Sequence, residues 1–376
     1  MGGDTNMDTG LRRIRATHER QVELDIAKGI AVFLMICVHV QEVFSHPTVQ
    51  HSLFGCVVEF VTGFPAAPLF MFAMGVGTVY SQRQDAGYAI RRGASLLIMA
   101  YLLNAARGFI PWSLGMRLGL LTEDAVPYGN PLFSLLEVDI LHFAGLSFIL
   151  IGMLRAAKVP WCAYPVAGLV LCALNYLVRG ISTGQPISDS ILGLLWGASE
   201  TSYFPFLSWI VYPMAGVAFG DILKNSTDKR RLYLGSFLAG CVVLLIAMWV
   251  SDFRFMYYMG FPEGNAYAYY HQDLIGNAVN GSLALMWLSV LYFLREAIPS
   301  VVVKKLLFWS KQLNAIYMVH WVLIGWLVLL LGFNRLMYWQ TILAMATIII
   351  AADRIGAAFS GPQTRLLAAK RKETVG

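Results

Sequence analysis

The chain's apolar residues come in blocks of about twenty, and that spacing limits what it can fold into more than any other feature. A helix rising 1.5 Å per residue needs roughly 20 apolar residues to cross ~30 Å of hydrocarbon. Ten such spans can be read, near residues 24–44, 55–80, 89–110, 133–154, 160–178, 203–223, 233–250, 275–297, 313–333 and 336–358. A transmembrane barrel would show shorter, alternating segments. The composition agrees, with 57% of the 376 residues hydrophobic and 13% charged, against about 25% charged in a soluble domain. A soluble enzyme, a disordered chain and a disulfide-stapled secreted module are excluded. The expected fold is all-α, a polytopic helical bundle of about ten spans with both termini in the cytoplasm. One membrane domain, 24–358, lies between a polar tail (1–23) and a basic tail (359–376).

The net charge of +6 is a topology signal rather than a nucleic-acid footprint. Lys and Arg gather at one set of helix ends: Arg12 to Arg20, Arg83, Arg91, Arg92, Arg155, Lys158, Lys224 to Arg231, Lys304, Lys305, Lys311 and the C-terminal run. The opposite ends hold Arg107, Arg117, Arg179, Arg254 and Arg335. This is the positive-inside asymmetry. No cleavable signal peptide is expected, because residues 1–23 are polar and the first apolar block is long enough to stay in the membrane. Five scattered cysteines show no paired or metal-ligand spacing, so neither a disulfide framework nor a metal site is expected.

An ionisable group inside a span costs about 2.5–3.5 kcal/mol and usually has a reason to be there. The first span is the richest case. At 100° per residue, Asp25, Lys28, His39 and Glu42 fall on one stripe, about 25 Å long. Asp25 and Lys28 form one i,i+3 pair, and His39 and Glu42 another, where the carboxylate can orient the imidazole. The second span holds Glu59 with Pro65 and Pro68, read either as a broken helix lining a cavity or as a kink. Arg91 and Arg92 open the third span as a candidate phosphate grip. Glu137, Asp139 and His142 follow in the fourth, and His320 sits inside the ninth. The connection 251–274 is dense in Tyr and Phe beside polar groups, including His271. Aromatic faces with neighbouring hydroxyls suit a sugar ring; an interfacial aromatic belt has the same composition. These residues alone permit a proton-coupled solute transporter or an intramembrane transferase.

The segment RQVELDIAKGIAVFLMICVH (Arg20 to His39) resembles the opening of the membrane acyltransferases. So, in order, do APLFMFAMGVG, RRGASLLIMAYLLN, VDILHFAGLSFILIG, YFPFLSWIVYPMAGVAFGDIL and SKQLNAIYMVHW. The chain is most similar to the heparan-α-glucosaminide N-acetyltransferase-like branch, and more distantly to the acyltransferase family 3 glycan O-acyltransferases. The resemblance implies acetyl-CoA (an acyl-CoA) as co-substrate from the cytoplasmic side, no metal, and a glycan or amino-sugar acceptor on the other side. It implies an integral protein of a bacterial inner membrane, contacting lipid and not nucleic acid, and it allows a homodimer. One group of relatives places the catalytic histidine at His39; the other places it nearer His51, with Glu59 as the acidic partner. Glu42 or Glu59 would orient the imidazole, Lys28, Arg91, Arg92 and Asp25 would serve the CoA phosphates, and Asp139, His142, His271 and His320 would face the acceptor.

Overall fold

The computed structural model describes residues 21–199, 201–258 and 266–373. All but the last three residues of the expected N-terminal tail, and the centre of the aromatic connection, lie outside the described residues. The described chain is helical, with two isolated bridges, Ser45 to Leu336 and Val138 to Ser202. Its longer helices are α1 (Val22–Phe44), α2 (Leu53–Tyr80), α3 (Ala86–Arg117), α4 (Ile140–Ala156), α5 (Ala163–Val178) and α6 (Pro186–Trp196). After these come α7 (Phe206–Asn225), α8 (Lys229–Val250), α9 (Leu274–Leu294), α10 (Ser300–Lys311), α11 (Leu313–Leu331) and α12 (Tyr338–Glu373). Eight of them (α1, α2, α3, α7, α8, α9, α11 and the first part of α12) are long and apolar enough to cross a membrane. Helices α4 and α5 occupy the two remaining apolar blocks and are 17 and 16 residues long. The protein is an all-α, polytopic helical membrane bundle.

The helices form two compact units. One comprises the start of α1 with residues 63–100 and 138–298; the other comprises 28–62, 101–137 and the chain from 299 onward. In the second unit, α1 presents Val32, Ile36, Val40 and Phe44, one residue per turn, to Ile316, Ile324 and Val328 of α11 and to Met345, Ile348 and Ala352 of α12. Lipid tails are as apolar as these side chains, so close fit rather than escape from water holds them. In the first unit, α2 and α7 meet backbone to backbone. A Cβ at Gly216 would stand 2.1 Å from the Phe72 carbonyl oxygen, so only glycine lets the helices come this close.

Three local features differ from the sequence pattern. Helix α2 runs unbroken through Pro65 and Pro68, although each proline removes a backbone donor. Nearby carbonyls take side-chain donors: the Thr62 hydroxyl donates to Glu59 O at 3.0 Å and the Tyr269 hydroxyl to Gly63 O at 2.8 Å. Helix α4 begins at Ile140 because Val138 is pinned beforehand, its N–H donating to Thr201 O and its carbonyl accepting from Tyr203 N. Helix α3 contains a π-turn, Ala105–Phe109, followed by Pro111. The Ile110 N–H bonds Ala105 O in the i,i−5 register, so the next carbonyl, Ala106 O, meets the proline nitrogen, which has no hydrogen. The Trp326 indole N–H donates to Ala106 O instead, at 3.1 Å.

Replacing Gly216 by valine should force α2 and α7 apart at a cost of about 1–3 kcal/mol, read as a lower thermal midpoint in detergent. Gly235→Ala is the control, because nothing lies within 4 Å of its Cβ position; its midpoint should not fall.

Candidate active site

In the second unit α1 and α11 bring together two histidines far apart in sequence. His39 Nδ1 and His320 Nε2 lie 3.0 Å apart, with the rings nearly coplanar at 8°. His320 is fully buried, and its Nδ1 is 3.1 Å from the Ile316 carbonyl oxygen. A carbonyl only accepts, so His320 Nδ1 carries the proton and its Nε2 carries the lone pair. With both rings neutral, Nε2 then accepts from His39 Nδ1–H. This chain places the lone pair of His39 on Nε2, the form a general base needs. The helical backbone thus dictates, through one carbonyl, the tautomer of a ring on another helix.

The surroundings of the pair are aromatic and charged. The Trp321 ring stacks on His39 with centroids 4.1 Å apart, and Tyr317 meets His320 edge-on at 5.5 Å. The Arg107 guanidinium lies 4.3 Å over the Trp321 ring and is 3.0 Å from the Glu137 carboxylate.

Other candidates lie elsewhere. Glu42 is exposed at the His39 end of α1, while Asp25 and Lys28 are half-buried at its other end. His51 is exposed in the turn before α2, and Glu59 is half-buried in α2. Arg91 and Arg92 are both exposed in the second turn of α3, with Arg92 4.8 Å over the Phe148 ring. Asp139 and His142 are engaged in a helix cap. The Asp139 carboxylate accepts from Ile140 N at 2.6 Å, and His142 Nδ1 accepts from Asp139 N at 3.2 Å. This reciprocal capping box closes the start of α4. Sequence reasoning missed Arg107 and Trp321. Arg107 counted only as a charge outside the positive cluster, although it stands in an apolar span four residues before a proline.

The first unit contains a cavity of about 380 Å³, within the size range of small-molecule sites. Ser182, Ser199, Ser202, Tyr203, Tyr270 and His271 line it. The Ser182 hydroxyl donates to Asp189 Oδ2 at 2.6 Å and the Ser202 hydroxyl to Gly193 O at 2.5 Å. With their protons given to the protein, both oxygens can act toward a ligand only as acceptors, and Ser182 Oγ already accepts from Gly184 N at 3.1 Å. Hydrogen bonds from Ser182 and Thr183 hold the Asp189 carboxyl below its usual range. Tyr203 and Tyr270 meet edge-to-face at 5.1 Å. The wall beneath is fixed by Trp209, whose indole donates to Tyr270 O at 2.7 Å, and by Tyr212, whose hydroxyl donates to Gln272. His271 packs against Gly197, left-handed at φ 70°, where a Cβ would lie 2.3 Å from the imidazole. Burial lowers the His271 pKa to about 4, opposed by a hydrogen bond with the Ser202 backbone. A neutral, acceptor-rich cavity with aromatic walls suits a ligand that offers hydroxyl or amine donors.

Because His271 is neutral when folded and titrates near its ordinary value when unfolded, the unfolded chain binds more protons as pH falls through about 6.5. Stability is therefore full above that pH and lost progressively toward the folded-state pKa of about 4, by roughly 3.4 kcal/mol in all. Thermal melts between pH 8 and 5 should show the decline, and His271→Gln should flatten it.

A search among curated proteins finds no match. The model of one family, "Heparan-alpha-glucosaminide N-acetyltransferase, catalytic", matches residues 20–261, well over half of the chain and including His39, Arg107 and Glu137 but not His320 or Trp321. The chain belongs to this family of membrane acetyltransferases.

Proposed function

We propose that the protein transfers an acetyl group from acetyl-CoA, taken up on the cytoplasmic side, to an amine or hydroxyl of a sugar acceptor on the other side. His39 is the general base and His320 orients it. The observation that carries this reading is the ordered chain Ile316 O, His320, His39, which keeps the lone pair on His39 Nε2.

The acceptor's N–H or O–H proton passes to His39 Nε2 while the acceptor atom bonds to the thioester carbonyl carbon. The tetrahedral intermediate then expels the thiolate as the C–S bond breaks, and the imidazolium returns the proton to sulfur. Protonation of His39 strengthens its Nδ1–H bond to His320, a neutral counterpart of the carboxylate that orients histidine in hydrolase triads. Arg91 and Arg92 serve the CoA phosphates, as charge on long side chains suits; Lys28, with Asp25 one helical turn away, is the alternative charge for that role. Within the first unit, Tyr203, Tyr270 and His271 are the candidate surface for a sugar ring, with aromatic faces for its C–H face and acceptors for its hydroxyls or amine. His51, Glu42 and Glu59 remain the alternative base and carboxylates on the acceptor side.

Purified protein in nanodiscs should move label from radioactive acetyl-CoA to an amino sugar. His39→Ala and His320→Ala should each lower kcat by about 10²–10⁴-fold, the usual weight of general-base catalysis, whereas His51→Ala should stay within about threefold of wild type. Full transfer in His39→Ala with loss in His51→Ala would move the base to His51. Vesicle uptake of sugar without any CoA-dependent product would replace the reaction with transport.

A further inference from the structure

The geometry points to Arg107 as a positioning residue for the imidazole pair: held by Glu137, it pins Trp321 against His39 and so keeps His39 in the one ring orientation that meets His320. The inference rests on the reading of His39 as the base.

A histidine ring can flip about its Cβ–Cγ bond, which exchanges Nδ1 with Cδ2. After a flip, His39 no longer offers Nδ1–H to His320, and the tautomer chain is broken. What opposes the flip is a neighbour lying flat on the ring, and Trp321 does so at 4.1 Å with an angle of 29°. An indole on a helix has freedom of its own, and here Arg107 covers the same ring at 4.3 Å. The guanidinium is fixed in turn. Its Nη2 is 3.0 Å from Glu137 Oε2 and its Nε donates to Asn104 Oδ1 at 3.1 Å. Asn104 Nδ2 donates to Leu135 O at 3.1 Å and Glu137 O at 2.7 Å, so the segment carrying the carboxylate is held by the residue that steers the arginine.

The backbone is arranged for this contact. Arg107 is the middle residue of the π-turn in α3, and such turns recur at functional sites. Helix α11 carries His320 and Trp321, and one turn further on Trp326 caps Ala106 O. Between them Gly325 lies flush on the Arg107 backbone, where a Cβ would stand 1.7 Å from its carbonyl oxygen. The same helix therefore fixes the turn and carries the rings that the turn steadies. Stability alone does not account for the ion pair. Arg107 is 5% exposed, and a buried pair of this kind is commonly replaceable by apolar residues at no loss.

The test uses the full chain in lipid nanodiscs, with histidine rings labelled with nitrogen-15, and compares wild type with Arg107→Met/Glu137→Leu, Trp321→Leu and Trp321→Phe. The double variant leaves no unpaired charge. It and Trp321→Leu should lose the nitrogen signals of the hydrogen-bonded His39–His320 pair. Both should lower kcat about 10- to 100-fold, as expected for a misplaced base, with KM for acetyl-CoA within about twofold. Trp321→Phe, which keeps an aromatic face, should retain both properties. Wild-type signals and kcat in the double variant overturn the inference; if that variant does not fold, the same result in Trp321→Leu does so. A parallel rise of KM with the fall of kcat also overturns it. If wild type shows no transfer but the variants still lose the paired signals, the acetyl-transfer reading fails and the positioning role stands.

Discussion

Hydrocarbon offers no hydrogen bonds, so a polar group carried into it must find its partner within the protein. That constraint organises the structure from the backbone upward. Pro111 deprives a carbonyl of its donor and an indole from another helix supplies one. Asp139 and His142 close the start of α4 on each other. The Ile316 carbonyl decides which nitrogen of His320 is protonated and, through it, which nitrogen of His39 is not. A site built this way has its protonation pattern written into helix geometry before any substrate arrives, which is what preorganisation means for a base.

The two units contribute different chemistry. The second holds the histidine pair with its aromatic and ionic supports. The first holds an open cavity whose hydroxyls have already spent their protons on Asp189 and Gly193.

The apolar blocks made the helices legible, because a twenty-residue run has few other fates in a polytopic chain. His39 was legible for the related reason that an imidazole is costly in a span. Its pairing with His320, itself singled out, was not, since the two are 281 residues apart and no periodicity within one helix reports a contact between two. The i,i+3 spacing that singled out His39 and Glu42 is the same spacing that, at Asp139 and His142, serves a cap. Spacing alone does not tell a catalytic pair from a capping box; what separates them is whether the helix has just begun. Arg107 was hidden by being counted as a topological charge. The polarity of the cavity was out of reach because it depends on where each serine's hydrogen goes.

The π-turn in α3 has a consequence for comparing related chains. It holds one residue more than an ordinary helical turn of the same span, so the faces before and after it are out of phase. A helical wheel drawn straight through Ala86–Arg117 rotates the final quarter of the helix by roughly 100° and aims its residues at the wrong neighbours. A related helix that lacks the π-turn aligns with this one only through a one-residue gap inside what looks like continuous apolar sequence.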